Sequence, residues 1–317
     1  MSNQPVTSQI SISAIAATRE FDYALVDVFA ERPLQGNQLA IVTDARGLSD
    51  EEMQALARET NLSETTFILP REPEVEREYG VQVRIFTVAE ELQFAGHPTL
   101  GTASWLYQNH AILRGAEQIT LDLRVGLIPV RFRAPAVGEL GLYATMKQND
   151  PTFGDIHDRV MIADTLGLSV DDLDSDLPVQ TVSTGMAFCI VPLKSLEVAK
   201  RLAIPGQKAS AYLERSDAKF FHCITRADAG SGADWHARMQ FYNGEDPATG
   251  SASGCTIAYL VRHGLATTGQ QVVIEQGIEM LRPSRIHVSA TIAGEVVSEV
   301  FVGGRTIPVA MGRLFLP

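Results

Sequence analysis

His-Pro-Thr-Leu-Gly-Thr-Ala-Ser at residues 97–104 returns in altered form as Asp-Pro-Ala-Thr-Gly-Ser-Ala-Ser at residues 246–253. Both stretches fit x-P-x-x-G-[ST]-A-S, and each runs into apolar sequence, WLYQNHAIL after the first and CTIAYLVRH after the second. The two lie 149 residues apart. At the same offset, Gly36-Asn-Gln-Leu-Ala-Ile-Val42 is matched by Gly185-Met-Ala-Phe-Cys-Ile-Val191. One short match arises easily by chance, whereas two in one register point to two copies of one fold.

Outward from the repeat, the sequence reads as alternating strands and helices. Ala24 to Phe29 and Leu39 to Val42 have strand character, separated by a Gly-Asn turn. Ser49-Asp-Glu-Glu52 has capping-box form and opens a helix to about Thr60. Thr65 to Leu69 and Val81 to Phe86 are β-rich. Strands this close together favour a mixed α+β sheet over a regular βαβ repeat. We expect an α+β fold of two pseudo-symmetric domains, each a curled, mostly antiparallel sheet around a central helix. The expected division is an N-terminal extension at 1–20, a first domain at 21–135 completed by 305–317, and a second at 136–304.

Composition limits the function classes. The 317 residues are 45% hydrophobic and 20% charged, ordinary for a globular chain and too apolar for a disordered one. No window approaches the roughly 18 uncharged apolar residues of a membrane span. With 26 Lys and Arg against 38 Asp and Glu, the net charge is −12, which makes nucleic acid and anionic membrane surfaces poor partners. Three cysteines without paired spacing give neither a disulfide framework nor a zinc site, and cytoplasm is the expected compartment. The first 18 residues lack a basic n-region and read as a loose extension rather than a signal peptide.

In the repeated motif, Pro98 and Pro247 suit the first turn of a helix, which would set His97 and Asp246 at or near the N-caps. Gly101, Thr102, Gly250 and Ser251 would allow close approach of a ligand to backbone N–H groups. A helix N-terminus carries roughly half a positive charge and accepts carboxylate or phosphate. Two such termini meeting across a pseudo-twofold would form one cleft; the plain alternative is a pair of well-capped core helices. Glu64, in Asn61-Leu-Ser-Glu-Thr-Thr-Phe67, is the third candidate, against its alternative as an exposed turn carboxylate. Gly250-Ser-Ala-Ser-Gly254 is not a nucleophile elbow, because Ala252 stands at its centre. No dinucleotide or Walker glycine loop is present, and no histidine has metal-ligand spacing.

SETTF at 63–67, FAGHPTLGTA at 94–103 and EDPATGSASG at 245–254 resemble the signature blocks of the phenazine-biosynthesis PhzF-like isomerase family. Gly36-Asn37, and Gln276-Gly277 followed by Arg282-Pro283-Ser284, resemble its weaker blocks. The resemblance runs from about residue 21 to the end. It implies the fold of diaminopimelate epimerase, with the site between two similar domains. It also implies Glu64 as general acid/base, His97 and Asp246 as polar catalytic partners, and Gly250 and Ser251 as substrate-binding residues; Gly96, Gly101 and Thr102 of the first motif join them as substrate-binding candidates. It further implies a cofactor-independent, metal-free isomerase acting on a small carboxylate, similar to trans-2,3-dihydro-3-hydroxyanthranilate isomerase, and a homodimer.

Two positions depart from the pattern: Gln38 stands where proline often follows Gly-Asn, and Leu281 where glycine often precedes Arg-Pro-Ser. The cysteine pair of the related epimerases and racemases is missing, with Gly101 and Pro247 in its neighbourhoods. Cys189 and Cys255 read as small core residues. Two other functions stay open on sequence: an epimerase or racemase of a small amino or hydroxy acid using Glu64 and Asp246, and a catalytically silent binding protein.

Overall fold

The computed structural model describes residues 19–134, 137–241 and 244–317. The expected extension at 1–20 lies outside the described residues except for Arg19 and Glu20, which already belong to the first strand; the boundary expected at 135/136 lies outside them too. The first half of the chain forms β1 (Arg19–Val28), β2 (Asn37–Val42), α1 (Asp50–Thr60), β3 (Thr65–Leu69), α2 (Pro73–Tyr79), β4 (Val81–Phe86), β5 (Glu91–Leu92), α3 (Gly96–Asn109), β6 (Gln118–Leu123), β7 (Gly126–Arg133) and β8 (Leu142–Lys147). The second forms β9 (Thr152–Ile156), α4 (Arg159–Leu166), β10 (Gln180–Ser183), β11 (Ala187–Pro192), α5 (Leu196–Lys200), α6 (Gly206–Leu213), β12 (Phe220–Arg226), β13 (Trp235–Arg238), β14 (Gln240–Phe241) and β15 (Gly244–Glu245). It ends with α7 (Gly250–Arg262), β16 (Val272–Gln276), β17 (Ser284–Ala293) and β18 (Val296–Leu316).

The duplication is written in the strand pairing. In the first half β1–β2 is antiparallel, β2–β3 parallel, β3–β4 antiparallel, β4–β6 parallel, and β6–β7–β8 antiparallel. In the second, β10–β11 is antiparallel, β11–β12 parallel, β12–β13 antiparallel, β13–β16 parallel, and β16–β17–β18 antiparallel. The senses follow the same order. The last strands of the two sequences, β8 and β18, pair with each other through Leu142–Lys147 and Phe301–Thr306. Each chain segment then crosses over: β18 continues to Leu316 along β1, and β9, following β8, pairs with β10. The halves are thus joined by an exchange of strands.

Each half of this continuous sheet curls around one helix. Ten of the 14 residues of α3 and 11 of the 13 of α7 are buried, the pattern of a helix enclosed on all sides. Small residues make this possible. A Cβ at Gly101 would sit 2.6 Å from Leu39 Cδ2 and 2.8 Å from Val28 Cγ2, and one at Gly250 would sit 3.0 Å from Phe29 Cζ. Phe29 is fully buried at φ 60, a left-handed backbone that costs roughly 1–2 kcal/mol in a residue with a Cβ. Its ring, driven between Gly250 and Gly304, is the packing that holds it there.

The structure corrects the register of the repeated motif. The 149-residue offset relates β2 to β11, but farther along the chain the equivalent elements lie 154 apart. Gly96 and Gly250 start the helices, and Gln118 and Val272 start the strands after them. Arg84 grips Glu91 through Nε–Oε1 and Nη2–Oε2 at 2.7 Å each; Arg238 grips Glu245 the same way at 2.8 and 2.5 Å. His97 is therefore the second residue of α3, and Asp246 lies four residues ahead of α7, so the two are not equivalent positions. Pro98 falls in a first turn as expected; Pro247 does not.

Candidate active site

Local sequence places Glu64 between a helix and a strand. Ser49 caps α1 in a capping box with Glu52, and Asn61 ends the helix in the left-handed conformation at φ 51. Four residues later β3 begins, parallel to β2, with Thr65 opposite Ala40. Glu64 thus sits just ahead of β3, close to the start of β2, where Asn37 and Gln38 lie. Its side chain is 16% exposed, but Oε2 is buried and makes no hydrogen bond. That oxygen lies 3.5 Å from His97 Nε2, which is likewise buried and unpaired.

Asp246 arrives from the other half. Its Oδ1 accepts from Asn37 Nδ2 at 2.8 Å and from Ser63 Oγ at 3.3 Å, and its Oδ2 accepts from Thr249 Oγ1 at 2.6 Å. Asn37 Nδ2 also reaches the Ala248 carbonyl at 3.0 Å and lies 3.3 Å from His97 Nδ1. Gln276 completes the group, with Nε2 donating to the Asp246 carbonyl at 2.7 Å and to Thr249 Oγ1 at 2.9 Å. Arg282 ties the halves together by donating to Asp27 Oδ1 at 2.6 Å and to the Gly36 carbonyl at 3.0 Å.

Burial sets the charges. Removal from water pushes the Glu64 carboxyl up to about 8, with the nearby negative charge of Asp246 adding to the effect. The same desolvation holds His97 down to about 3 against a hydrogen bond from its ring to the Gln38 backbone. Asp246 is raised to about 6 by burial, less than its surroundings alone would dictate, because Thr249, Asn37 and Ser63 hydrogen-bond its charged form. Near neutral pH the site therefore holds a protonated Glu64, a neutral His97 and a charged Asp246. Two acids pushed apart in this way can divide acid and base work.

The helix starts face this cluster. Neither α3, capped by Ala95, nor α7, capped by Thr249, has a side chain on its first amides, and the Thr249 hydroxyl is committed to Asp246. A Cβ at Gly96 would sit 3.3 Å from Ser251 N and 3.5 Å from Gly250 C, so the two termini touch. Gly96, Gly250 and Ser251 are thus brought to one place. Gly101 and Thr102 are not: Gly101 packs on β1 and β2, and Thr102 Oγ1 is bonded to Thr66 Oγ1 at 2.9 Å in the core, one turn too deep in α3. Asn37, Ser63, Thr249 and Gln276 all lie inside or beside the quoted sequence blocks. No local signal in the sequence announces the fold-back that brings Asn37, Ser63 and Thr249 onto the Asp246 carboxylate and Gln276 onto its backbone carbonyl. Leu281, at the position noted for glycine, stands at φ 58 and is 86% exposed.

All three cysteines are free and buried. Among the described residues no group of three or more His, Cys, Asp or Glu side chains could hold a metal ion, and no helix is long and apolar enough to cross a membrane. A cavity of about 670 Å³ lies between α6, β12 and the β14–β15 hairpin, with Lys219 and Glu245 on its wall and none of the Glu64 cluster.

Comparison with known proteins agrees with this fold. The chain is 36% identical over 301 residues to a trans-2,3-dihydro-3-hydroxyanthranilate isomerase of Pseudomonas aeruginosa, covering 93% of this chain and 99% of that protein. It superposes with a TM-score of 0.83 on the crystal structure of a Bacillus anthracis phenazine biosynthesis protein of the PhzF family, at 28% identity, 94% of this chain and all of that one. A hydroxyproline epimerase from Agrobacterium vitis shares the fold alone, at a TM-score of 0.64, 11% identity, and coverage of 94% and 93%. The architecture is thus the two-domain epimerase-like fold, and the protein is an isomerase. Residues 26–312 match the family described as phenazine biosynthesis-like protein, and the chain belongs to it.

Proposed function

We propose that this isomerase moves a proton between two carbons of a small cyclic or conjugated carboxylic acid, with Glu64 as the general acid/base. The observation that carries the reading is Glu64 Oε2: buried, without a hydrogen-bond partner, and facing a neutral His97 between two uncapped helix starts. A carboxylate whose acidity is weakened to about 8 is a far stronger base than an ordinary one, as removal of a proton from carbon requires. The ionised Glu64 takes the proton, and the electron pair left on carbon enters the conjugated system. The same carboxyl, now an acid, delivers the proton to a second carbon. Formula and charge are unchanged, and no oxidant or reductant is needed.

The other groups orient. Amides at the starts of α3 and α7 receive the substrate carboxylate, Asp246 accepts from its hydroxyl or amino groups, and His97 presents Nε2 to the proton on Glu64. Trans-2,3-dihydro-3-hydroxyanthranilate, the compound in the name of the Pseudomonas aeruginosa relative, has the required carboxylate and conjugation and is the substrate we propose. Three buried free thiols support a reducing, cytoplasmic setting. Glu64→Gln, close to isosteric, is expected to abolish the absorbance change that accompanies turnover of this compound while leaving its binding measurable. Turnover at the wild-type rate would remove Glu64 from the mechanism.

A further inference from the structure

Hydrogen-bond polarity around Asp246 is anchored in the backbone. The Asp246 carbonyl can only accept and the Thr249 N–H can only donate, and Gln276 meets both, with Nε2 at 2.7 Å from the first and Oε1 at 3.2 Å from the second. A flipped amide would set oxygen against oxygen and N–H against N–H, so the orientation of Gln276 is fixed. Its second amide hydrogen then points at Thr249 Oγ1, 2.9 Å away. A hydroxyl that already accepts there has one proton to give, and Asp246 Oδ2 lies at 2.6 Å. The same logic applies on the other side. Asn37 Nδ2 must donate to the Ala248 carbonyl at 3.0 Å, which orients its amide so that the second hydrogen meets Asp246 Oδ1 at 2.8 Å.

We propose that Asn37 and Gln276, the latter through Thr249, are positioning residues that hold Asp246 as a carboxylate, leaving Glu64 as the one carboxyl of the site that carries a proton at rest. Oδ2 accepts from Thr249 and Oδ1 from Asn37 and Ser63, three donors that favour the charged carboxylate, so a proton added to either oxygen weakens the bonds it already receives. The charged and titratable groups around Asp246 are Glu64 ahead of β3, His97 on α3, Glu245 on β15 and, behind Gln276, His222 on β12. Glu245 is held by Arg238, and His222 is buried with Nδ1 2.7 Å from Thr256 Oγ1. None of these is a cation paired with Asp246, so the donors alone oppose the cost of burying its charge.

The inference rests on the proposed acid/base reading, but its test does not need the substrate. The Asp246 carboxyl is followed by ¹³C NMR in free enzyme labelled at aspartate, with Asp246→Asn assigning the resonance. Each lost donor to a carboxylate is worth roughly one pH unit or more. Thr249→Val is expected to raise the Asp246 titration by about that amount, Thr249→Ser to leave it near wild type, and Gln276→Met to raise it by less. If Thr249→Val does not fold, the contrast between Thr249→Ser and Gln276→Met decides the point. An unchanged titration in Thr249→Val, or equal shifts in the serine and valine variants, would overturn the proposal. The pH at which kcat/KM begins its steeper acidic fall is expected to follow the same order. If that limb stays still while the resonance moves, the charge of Asp246 has no part in turnover and the lock stands.

Discussion

Glu64 is a residue whose usefulness is bought with stability. Unfolded, it ionises near 4.5, and in the folded protein only near 8. Between these values the folded state holds one more proton than the unfolded, so stability falls as pH rises through that window and the loss is complete above it. Glu64→Gln removes the effect. The variant is expected to match wild type near pH 4 and to exceed it by a few kcal/mol at pH 8, measured by urea unfolding at both. Equal stability at both would mean that Glu64 is not desolvated. His97 contributes with the opposite sign: its ring gains a proton near 6.5 unfolded and near 3 folded, so stability is lost as pH falls between these. The same chemistry sets the rate. With Glu64 acting as the base, kcat/KM is expected to rise with pH up to about 8 and then level, and a flat profile between pH 6 and 9 would contradict that role.

Elements were legible where the signal is local. The capping box at Ser49–Glu52, the strand runs at 65–69 and 81–86, and the Gly-Asn entry to β2 all stand where the sequence puts them. The starts of the central helices were harder to read. Proline before x-x-G-[ST]-A-S marks a first turn in α3 but a non-helical approach in α7, where Gln276 and Ser284 hold the chain extended through the Asp246 and Pro247 carbonyls. Those partners lie 30 and 37 residues farther along the chain, beyond any local signal. Leu281 is a local signal with a physical cost. At φ 58 and almost fully exposed, it makes little packing to offset the left-handed strain. Leu281→Gly is therefore expected to raise stability by roughly 0.5–1 kcal/mol, seen as a higher Tm. A lower Tm would mean that the leucine has a partner that offsets the strain.

At the scale of the whole molecule, the duplication is real, but of the two matches read at one offset only Gly36–Val42 with Gly185–Val191 keeps the structural register; the motif before the central helices runs five residues out of it. The strand exchange that binds the halves could be read only in part, because β8, β9 and β18 carry no signal of which sheet they will join. Arg282 on Asp27 and Asn37 on Asp246 show the consequence: the site exists only while both halves are docked. We propose that two such chains associate, so light scattering is expected to return twice the 34.5 kDa chain mass, and a monomer mass would refute it. The central claim is that one shielded carboxyl carries the proton from carbon to carbon. Its most direct test is mass spectrometry of trans-2,3-dihydro-3-hydroxyanthranilate turned over in D₂O. The account predicts conversion by wild type with at most partial deuterium uptake, and none by Glu64→Gln. Full deuteration by wild type, or conversion by the variant, would contradict it.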